Sequence, residues 1–394
     1  MSNSDKEHFL AYRDQTRIKH QILSEYLPPF FNILKKGYSK LVYIDGFAGA
    51  GKYTNQETQE EFDGSPLQAL NVIAASHELS NAVTSVLVEP RSDHFADLEA
   101  AVDQFCSTNP KIKRPILLKS TFQDTVESIK SYLEENNYNL APTFLFVDPC
   151  GVGGVHFESI SDILKRPACE AFIFFNIMGV QRIAGLDPEK MGQTLPELFG
   201  SDDRVAPLLK ELTGCSSSKE KEAIVVDYYC KLLREECAST YVLPFRVESE
   251  YKRSTSHYFI HATKHPIGFK IMKDIMWKAG KLDGTDEGRL ELLQSSASDI
   301  SALMRLDLEQ ADEAILNHLS TNGVTEVSVF RKAWPVRPDD RFTDACYRRR
   351  LLKLEADGKI IVLDKDRKTP KPAGSRPKRL GTPTLSESLY VRLV

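Results

Sequence analysis

Five short apolar runs, each followed by a stretch with helical spacing, constrain this chain more than anything else in it. The runs are residues 40–44, 84–88, 115–118, 143–147 and 171–175. Each is nearly continuous in Val, Ile, Leu and Phe, with none of the in–out alternation of a sheet that faces water. Strands of that kind are buried on both faces, and helices between them supply the cover, so the pattern predicts an open, mostly parallel α/β sheet. Helical spacing is expected over residues 8–37, with Pro28 and Pro29 interrupting it. Ser65-Pro66 opens another helix, with Ser65 as its cap after a polar loop at 52–63. Residues 187–238 predict a helical insertion. Residues 241–250 and 257–263 alternate as an antiparallel pair, and a helix follows over about 268–280.

Past residue 282 the character changes. Residues 283–308 are polar and predict a linker. A helix is expected at 309–320, another at 326–333 with Thr325 as its cap, and a third at 342–357. Strands are expected at 359–363 and 388–394, with a basic, proline-bearing span between them. Three helices and a two-stranded wing describe a winged helix, whose third helix is where a DNA-reading helix sits. Two domains are therefore expected, 1–282 and 309–394.

Charge sharpens that division. The whole chain has a formal charge of −4, but Arg331 to Val394 holds 17 Lys and Arg against 8 Asp and Glu, a net +9. The first 330 residues therefore carry −13, and a basic end on an acidic body points to nucleic acid. Arg348, Arg349 and Lys353 on the third helix, and Lys368, Arg376, Lys378 and Arg379 in the wing, are the candidate phosphate contacts. Consecutive arginines diverge on a helix, so Arg348, Arg349 and Arg350 do not all face one groove. The seven cysteines are scattered and never in CxxC. Free thiols in a reducing cytoplasm are expected, with no disulfide framework and no metal. No apolar run approaches the roughly 18 residues needed to cross a bilayer, and no signal-peptide core precedes residue 15.

The chemistry collects at strand ends. The first strand runs into Asp45-Gly46-Phe47-Ala48-Gly49-Ala50-Gly51, a turn that lets a ligand approach the backbone closely. Glu89-Pro90 ends the second strand, where a carboxylate accepts the hydroxyls of a ribose. Phe122, Gln123 and Asp124 follow the third, Asp148-Pro149 the fourth and Asn176 the fifth. Such folds bind ligands at this edge. A rival reading is open: Gly46 to Lys52 matches GxxxxGK, the phosphate-binding loop, with Asp148 as the magnesium-binding residue. Against it, Tyr53 stands where Ser or Thr ligates magnesium, and a dozen polar residues intervene before a helix. His156, His257, His261 and His265 lack metal-ligand spacing, Lys19 either points to the site or, as the favoured expectation, lies in solvent on its helix, and Phe269 and Trp277 are expected in the core.

Several blocks resemble the three-Cys-motif partner (TcmP) family: Thr16 to Leu27, Tyr43 to Tyr53, Gly64-Ser-Pro-Leu67, Phe146-Val-Asp-Pro-Cys-Gly151 and His265-Pro-Ile-Gly268 with Met272 to Lys278. They span roughly residues 8–280. The resemblance implies a Rossmann-like methyltransferase sheet with a C-terminal winged helix, S-adenosyl-L-methionine as cofactor, and a three-Cys-motif protein as partner. It also implies a setting in antiviral defence. By it, Asp45 and the backbone of Gly46, Phe47, Ala48, Gly49 and Gly51 face the methionine end. Glu89 and Pro90 lie at the ribose, and Phe122 to Asp124 line the adenine. Asp148, Pro149, Gly151 and Asn176 stand beside the methyl acceptor. Amino-methyltransferases of bases carry an aromatic residue two places after Asp-Pro, to stack on the base. Here that place is Gly151, which keeps open a second class of reading: a non-catalytic protein that binds nucleic acid or a partner.

Overall fold

The computed structural model describes residues 3–54, 60–185, 192–248, 255–280, 291–292, 297–340, 342–379 and 381–394. The chain forms two compact units. The first ends at Gly280 and also takes Arg289–Leu292; the second runs from Leu293 to Val394.

The first unit opens with helix α1 (Asn3–Leu34), strand β1 (Leu41–Asp45) and a hairpin of β2 (Lys52–Thr54) and β3 (Glu61–Asp63). Helices α2 (Ser65–Ala74) and α3 (His77–Ala82) lead to β4 (Val83–Val88), α4 (Ser92–Thr108), β5 (Ile116–Leu118), α5 (Phe122–Glu135) and β6 (Thr143–Val147). Then come α6 (Phe157–Leu164), β7 (Glu170–Phe175) and α7 (Ile177–Ala184). Three helices follow, α8 (Thr194–Phe199), α9 (Asp202–Thr213) and α10 (Ser218–Glu235). Strands β8 (Tyr241–Glu248) and β9 (Thr255–Thr263), helix α11 (Pro266–Ala279) and the short β10 (Glu291–Leu292) complete it.

The sheet order is β5-β4-β1-β6-β7-β9-β8-β10. The first five strands are parallel, and β9 inserts antiparallel between β7 and β8. The order reverses between β1 and β6. Chain leaves β1 for one side of the sheet and returns to β6 on the other, so a crevice opens between those two strand ends. Both faces are covered, as the continuous apolar runs require. Ile44, Leu145, Val147 and Ile173 face α5, α6, α7 and α10. Tyr43, Phe144, Phe146 and Phe172 face α1, α2, α4 and α11. Burying each such large side chain contributes about 1.5–3 kcal/mol.

Several expectations change on contact with the structure. Helix α1 continues through Pro28 and Pro29. Leu27, Phe30 and Phe31 bury there, and this burial outweighs two lost backbone hydrogen bonds. The polar stretch 52–63 contains a strand pair, with residues 55–59 outside the described residues. Ser65 does not cap α2; Gly64 holds that place without a side-chain cap, and the Ser65 hydroxyl turns to Asp45 instead. Parts of the insertion (187–191), of the strand pair (249–254) and of the linker (283–290, 293–296) lie outside the described residues.

The second unit begins with helix α12 (Ala297–Asn322), which runs through the end of the expected linker. After β11 (Thr325–Glu326), the chain is helical over 327–333, close to the helix expected at 326–333, but winds as a π-helical turn over Val329–Ala333, and a 3-10 turn (Trp334–Val336) extends it. Thr325 therefore lies in a strand and caps nothing. Helix α13 (Asp344–Ala356), capped by Thr343, leads to β12 (Ile360–Leu363). A hairpin of β13 (Lys378–Arg379) and β14 (Thr382–Pro383) precedes β15 (Tyr390–Leu393). The expected strand pair is part of a three-stranded sheet, β11-β15-β12, because β11 pairs with the far edge of β15. Two-residue strands such as β11 carry no periodicity to read.

Candidate functional site

Sheet register brings the motif residues together. Asp45 at the end of β1 lies beside Leu87 of β4 and Phe146 of β6. Glu89 and Asp148 are each two residues further along those neighbouring strands. The turn after β1 is tied to both: Gly46 N donates to Phe146 O (3.0 Å) and Ala48 N to Val88 O (2.8 Å). Three parallel strands thus end in a glycine turn flanked by two carboxylates, at the point where strand order reverses.

Asp45 is fully buried. Its carboxylate accepts from Ser65 Oγ (2.7 Å), Phe47 N (3.2 Å) and Tyr43 Oη (3.3 Å). Burial pushes it up to about 7; the nearby Asp148 charge adds to this, and the hydrogen bonds oppose it. Gly46 sits on the Phe122 ring, where an added Cβ would come within 2.8 Å of the ring edge. Gly49 has φ +60° and open space where a side chain would be. The turn therefore rests on Phe122 from below and offers bare backbone on the open side.

At the end of β4, Glu89 is buried and takes Arg91 N on one oxygen (2.8 Å), while its other oxygen lies 4.0 Å from His94 Nδ1. Pro90 beside it is exposed. Phe122 is buried beneath the turn, with Phe47 at 5.7 Å. Gln123 bonds Glu127 (3.0 Å) and lines a depression of about 340 Å³ among α5, α6, α8 and α9. Asp124 is exposed and accepts from Thr121 Oγ1 (2.7 Å), so its carboxylate serves the start of α5. Asn176 spends its carbonyl oxygen on Gly179 N (2.8 Å) as the cap of α7. Cys150 and Gly151 are exposed, and Gly151 has φ +116°.

The largest correction is Lys19. Of its two readings the less favoured one holds: it is 5% exposed, and its ammonium donates to Asp148 Oδ2. The signal was in the sequence: Lys19 lies on the same stripe as Ile22, Leu23 and Tyr26, at i, i+3, i+4 and i+7. The ammonium also stands 4.9 Å over the Phe174 ring. His257 faces that ring at 4.2 Å, and burial with the Lys19 charge lowers it to about 4. His20 is lowered to about 3 by the same two causes. Two further histidines have structural tasks: His261 bonds Glu170 (3.1 Å) and His265 caps α11, while His156 lines the depression beside α6. Lys52, of the GxxxxGK match, opens a strand and bonds Glu61 (2.9 Å) and Gln104 (3.2 Å), so it is not the lysine of a phosphate loop.

In the second unit Arg376 corrects a further expectation. It is buried in an ion pair with Glu355 and faces no solvent. Arg350 is buried likewise against Asp312. Lys353, Lys368, Lys378 and Arg379 are exposed, and Arg348 and Arg349 half-buried. Among the described residues no three His, Cys, Asp or Glu side chains are grouped to hold a metal ion, and no helix is long and apolar enough to cross a membrane.

No protein-family model and no curated protein matches the chain. Solved structures similar to it include a Legionella pneumophila protein, at 11% identity over 66% of this chain and 91% of that one, with TM-score 0.37. An rRNA methylase from Streptococcus thermophilus is similar at 11% identity over 62% and 93%, TM-score 0.27. A plantazolicin methyltransferase in complex with SAH is similar at 10% identity over 67% and 92%, TM-score 0.27.

Proposed function

We propose that the first unit is an S-adenosyl-L-methionine-dependent methyltransferase of the three-Cys-motif partner type, directed to nucleic acid by a second unit of winged-helix kind. The observation that carries this reading is the meeting of the glycine turn, Glu89 and Asp148 on three adjacent parallel strand ends at the reversal of strand order. The cradle fits the cofactor: bare backbone at Gly49 for the methionine end, and one under-used Glu89 oxygen for ribose hydroxyls. When bound, that cofactor supplies an electrophilic methyl group on a sulfonium.

The chain's own residues would do the rest. Asp45 fixes the turn through Phe47 N and places a carboxyl under the methionine end. Phe122 supports the turn from below. Asp148 orients the acceptor at the end of β6, where holding it in line provides most of the rate. Exposed Lys353, Lys368, Lys378 and Arg379, with half-buried Arg348 and Arg349, are the phosphate contacts on this reading. Arg376 is removed from that set by its burial.

Calorimetry of the full chain with S-adenosylmethionine tests the reading. Binding is expected, with Glu89→Ala weakening it at least tenfold and Asp148→Ala binding normally while losing methyl transfer. No binding, with a nucleoside triphosphate bound instead, would refute it. Exposed Gly151, where a base-stacking aromatic would stand, favours the second reading, a non-catalytic binder. Cofactor binding without transfer to any nucleic acid would support that one.

A further inference from the structure

Helix α1 is fixed at two levels of the sheet. Near its C-terminal end Tyr26 bonds the buried Glu170 at the amino end of β7. His261 and Thr263 of β9 bond the same carboxylate, at 3.1 and 2.8 Å. Between, Ile22 and Leu23 are wholly buried. Seven residues before Tyr26, two turns or roughly 10 Å along the axis, Lys19 arrives at the carboxyl ends of β6 and β7. Its place is therefore set by the core and not by a search in solvent. A buried ammonium is costly to desolvate, and Leu or Met would fill that stripe at lower cost. What the lysine adds is a cation against Asp148, over Phe174 and next to His257.

Resting on the reading of Asp148 as the acceptor-side residue, we propose that Lys19 is a positioning and specificity-determining residue. Its ammonium holds the Asp148 carboxylate at the end of β6, and makes the corner walled by Phe174 and His257 a place for an uncharged nitrogen acceptor, such as the exocyclic amine of a nucleobase, and not for an alkylammonium. A carboxylate offers about four lone-pair positions; Lys19 takes one, and the others can accept from a neutral N–H. A second cation would meet the Lys19 charge at close range in a poorly screened site. Among the described residues, the other titratable groups that bear on this corner supply no full charge in its place. His20 on α1 and His257 on β9 are uncharged at neutral pH, Tyr43 on β1 is held neutral by burial, and Asp45 on β1 is only partly ionised near pH 7.

Histidine-ring NMR on the full chain tests the placement without any cofactor, with His257→Gln and His20→Gln for assignment. In Lys19→Met the His257 titration should move up from about 4 by about one pH unit, and Lys19→Arg should restore it. A midpoint unmoved in a folded Lys19→Met protein overturns the proposal. The specificity is read with two probes, 9-methyladenine and n-butylammonium, followed by the same ring signals. The wild type should respond to 9-methyladenine at lower concentration, and Lys19→Met should reverse that order. Tighter n-butylammonium binding to the wild type, as a protein-lysine acceptor requires, overturns it. If both arms succeed while calorimetry finds no S-adenosylmethionine binding, the methyltransferase reading falls and the charge role of Lys19 stands.

Discussion

Asp45→Asn should stabilise the first unit at pH 8 and do progressively less as the pH falls. Asp45 is wholly inside the protein, and burial holds its carboxyl at about 7 against an ordinary 3.8. The unfolded chain releases that proton near pH 4; the folded chain keeps it until about pH 7. Between those values the native state binds more protons than the unfolded state, so stability falls as the pH rises and the loss is complete above the folded midpoint. At about 1.4 kcal/mol for each pH unit, the full loss is roughly 4 kcal/mol. Roughly 3 kcal/mol of it accrues between pH 5 and pH 8. Asparagine keeps the shape and an oxygen for Phe47 N, and its amide can donate to the Ser65 and Tyr43 hydroxyls, which can turn to accept. Urea unfolding of both proteins at pH 5, 6, 7 and 8 gives the difference directly. The gap should widen steadily in favour of Asp45→Asn by roughly 3 kcal/mol across that range. A difference that stays constant with pH would mean that Asp45 is ionised throughout, and would refute the reasoning. The same variant should bind S-adenosylmethionine less tightly, so stability and function pull in opposite directions here, as they do at many binding sites.

Other outcomes follow from packing and charge. Gly268→Ala places a Cβ 2.6 Å from Glu170 Oε1 and 2.9 Å from the Tyr26 hydroxyl, so thermal unfolding should show a loss of about 1–3 kcal/mol. Arg376→Met leaves Glu355 without its buried partner and should destabilise the second unit by about 3 kcal/mol, read by denaturant unfolding. Lys378→Ala and Arg379→Ala, both exposed, should change stability by less than about 0.5 kcal/mol. Each should lower the salt slope of nucleic-acid binding by about one.

Much of the first unit was legible because its local signals agree with its tertiary structure. Apolar runs of four or five residues announce strands covered on both faces, and Thr143 to Val147 forms β6 over the expected residues. Asp45, Glu89 and Asp148 could be read as site candidates because each directly follows such a run. Legibility failed where a long-range contact overrode a local preference. Pro28 and Pro29 read as a break, yet the helix carries on because Leu27, Phe30 and Phe31 are buried together. Ser65 read as a cap, yet its hydroxyl meets Asp45, twenty residues away in the chain. Arg376 read as a phosphate contact because composition counts charges without their partners, and Glu355 was that partner.

The sequence by itself determined the layered α/β architecture and which strand ends carry polar chemistry, because hydrophobic periodicity and turn residues act over a few neighbours. It also determined the division of charge between the acidic body and the basic end. Tertiary structure alone decided the order of the strands, and with it the meeting of Asp45, Glu89 and Asp148 at one crevice. It alone decided that Lys19, 129 residues before Asp148, is that carboxylate's buried partner. Pairing across such distances depends on which face of a helix the core buries. That is settled only when Tyr26 meets Glu170, and Ile22 and Leu23 bury on the same face of the sheet.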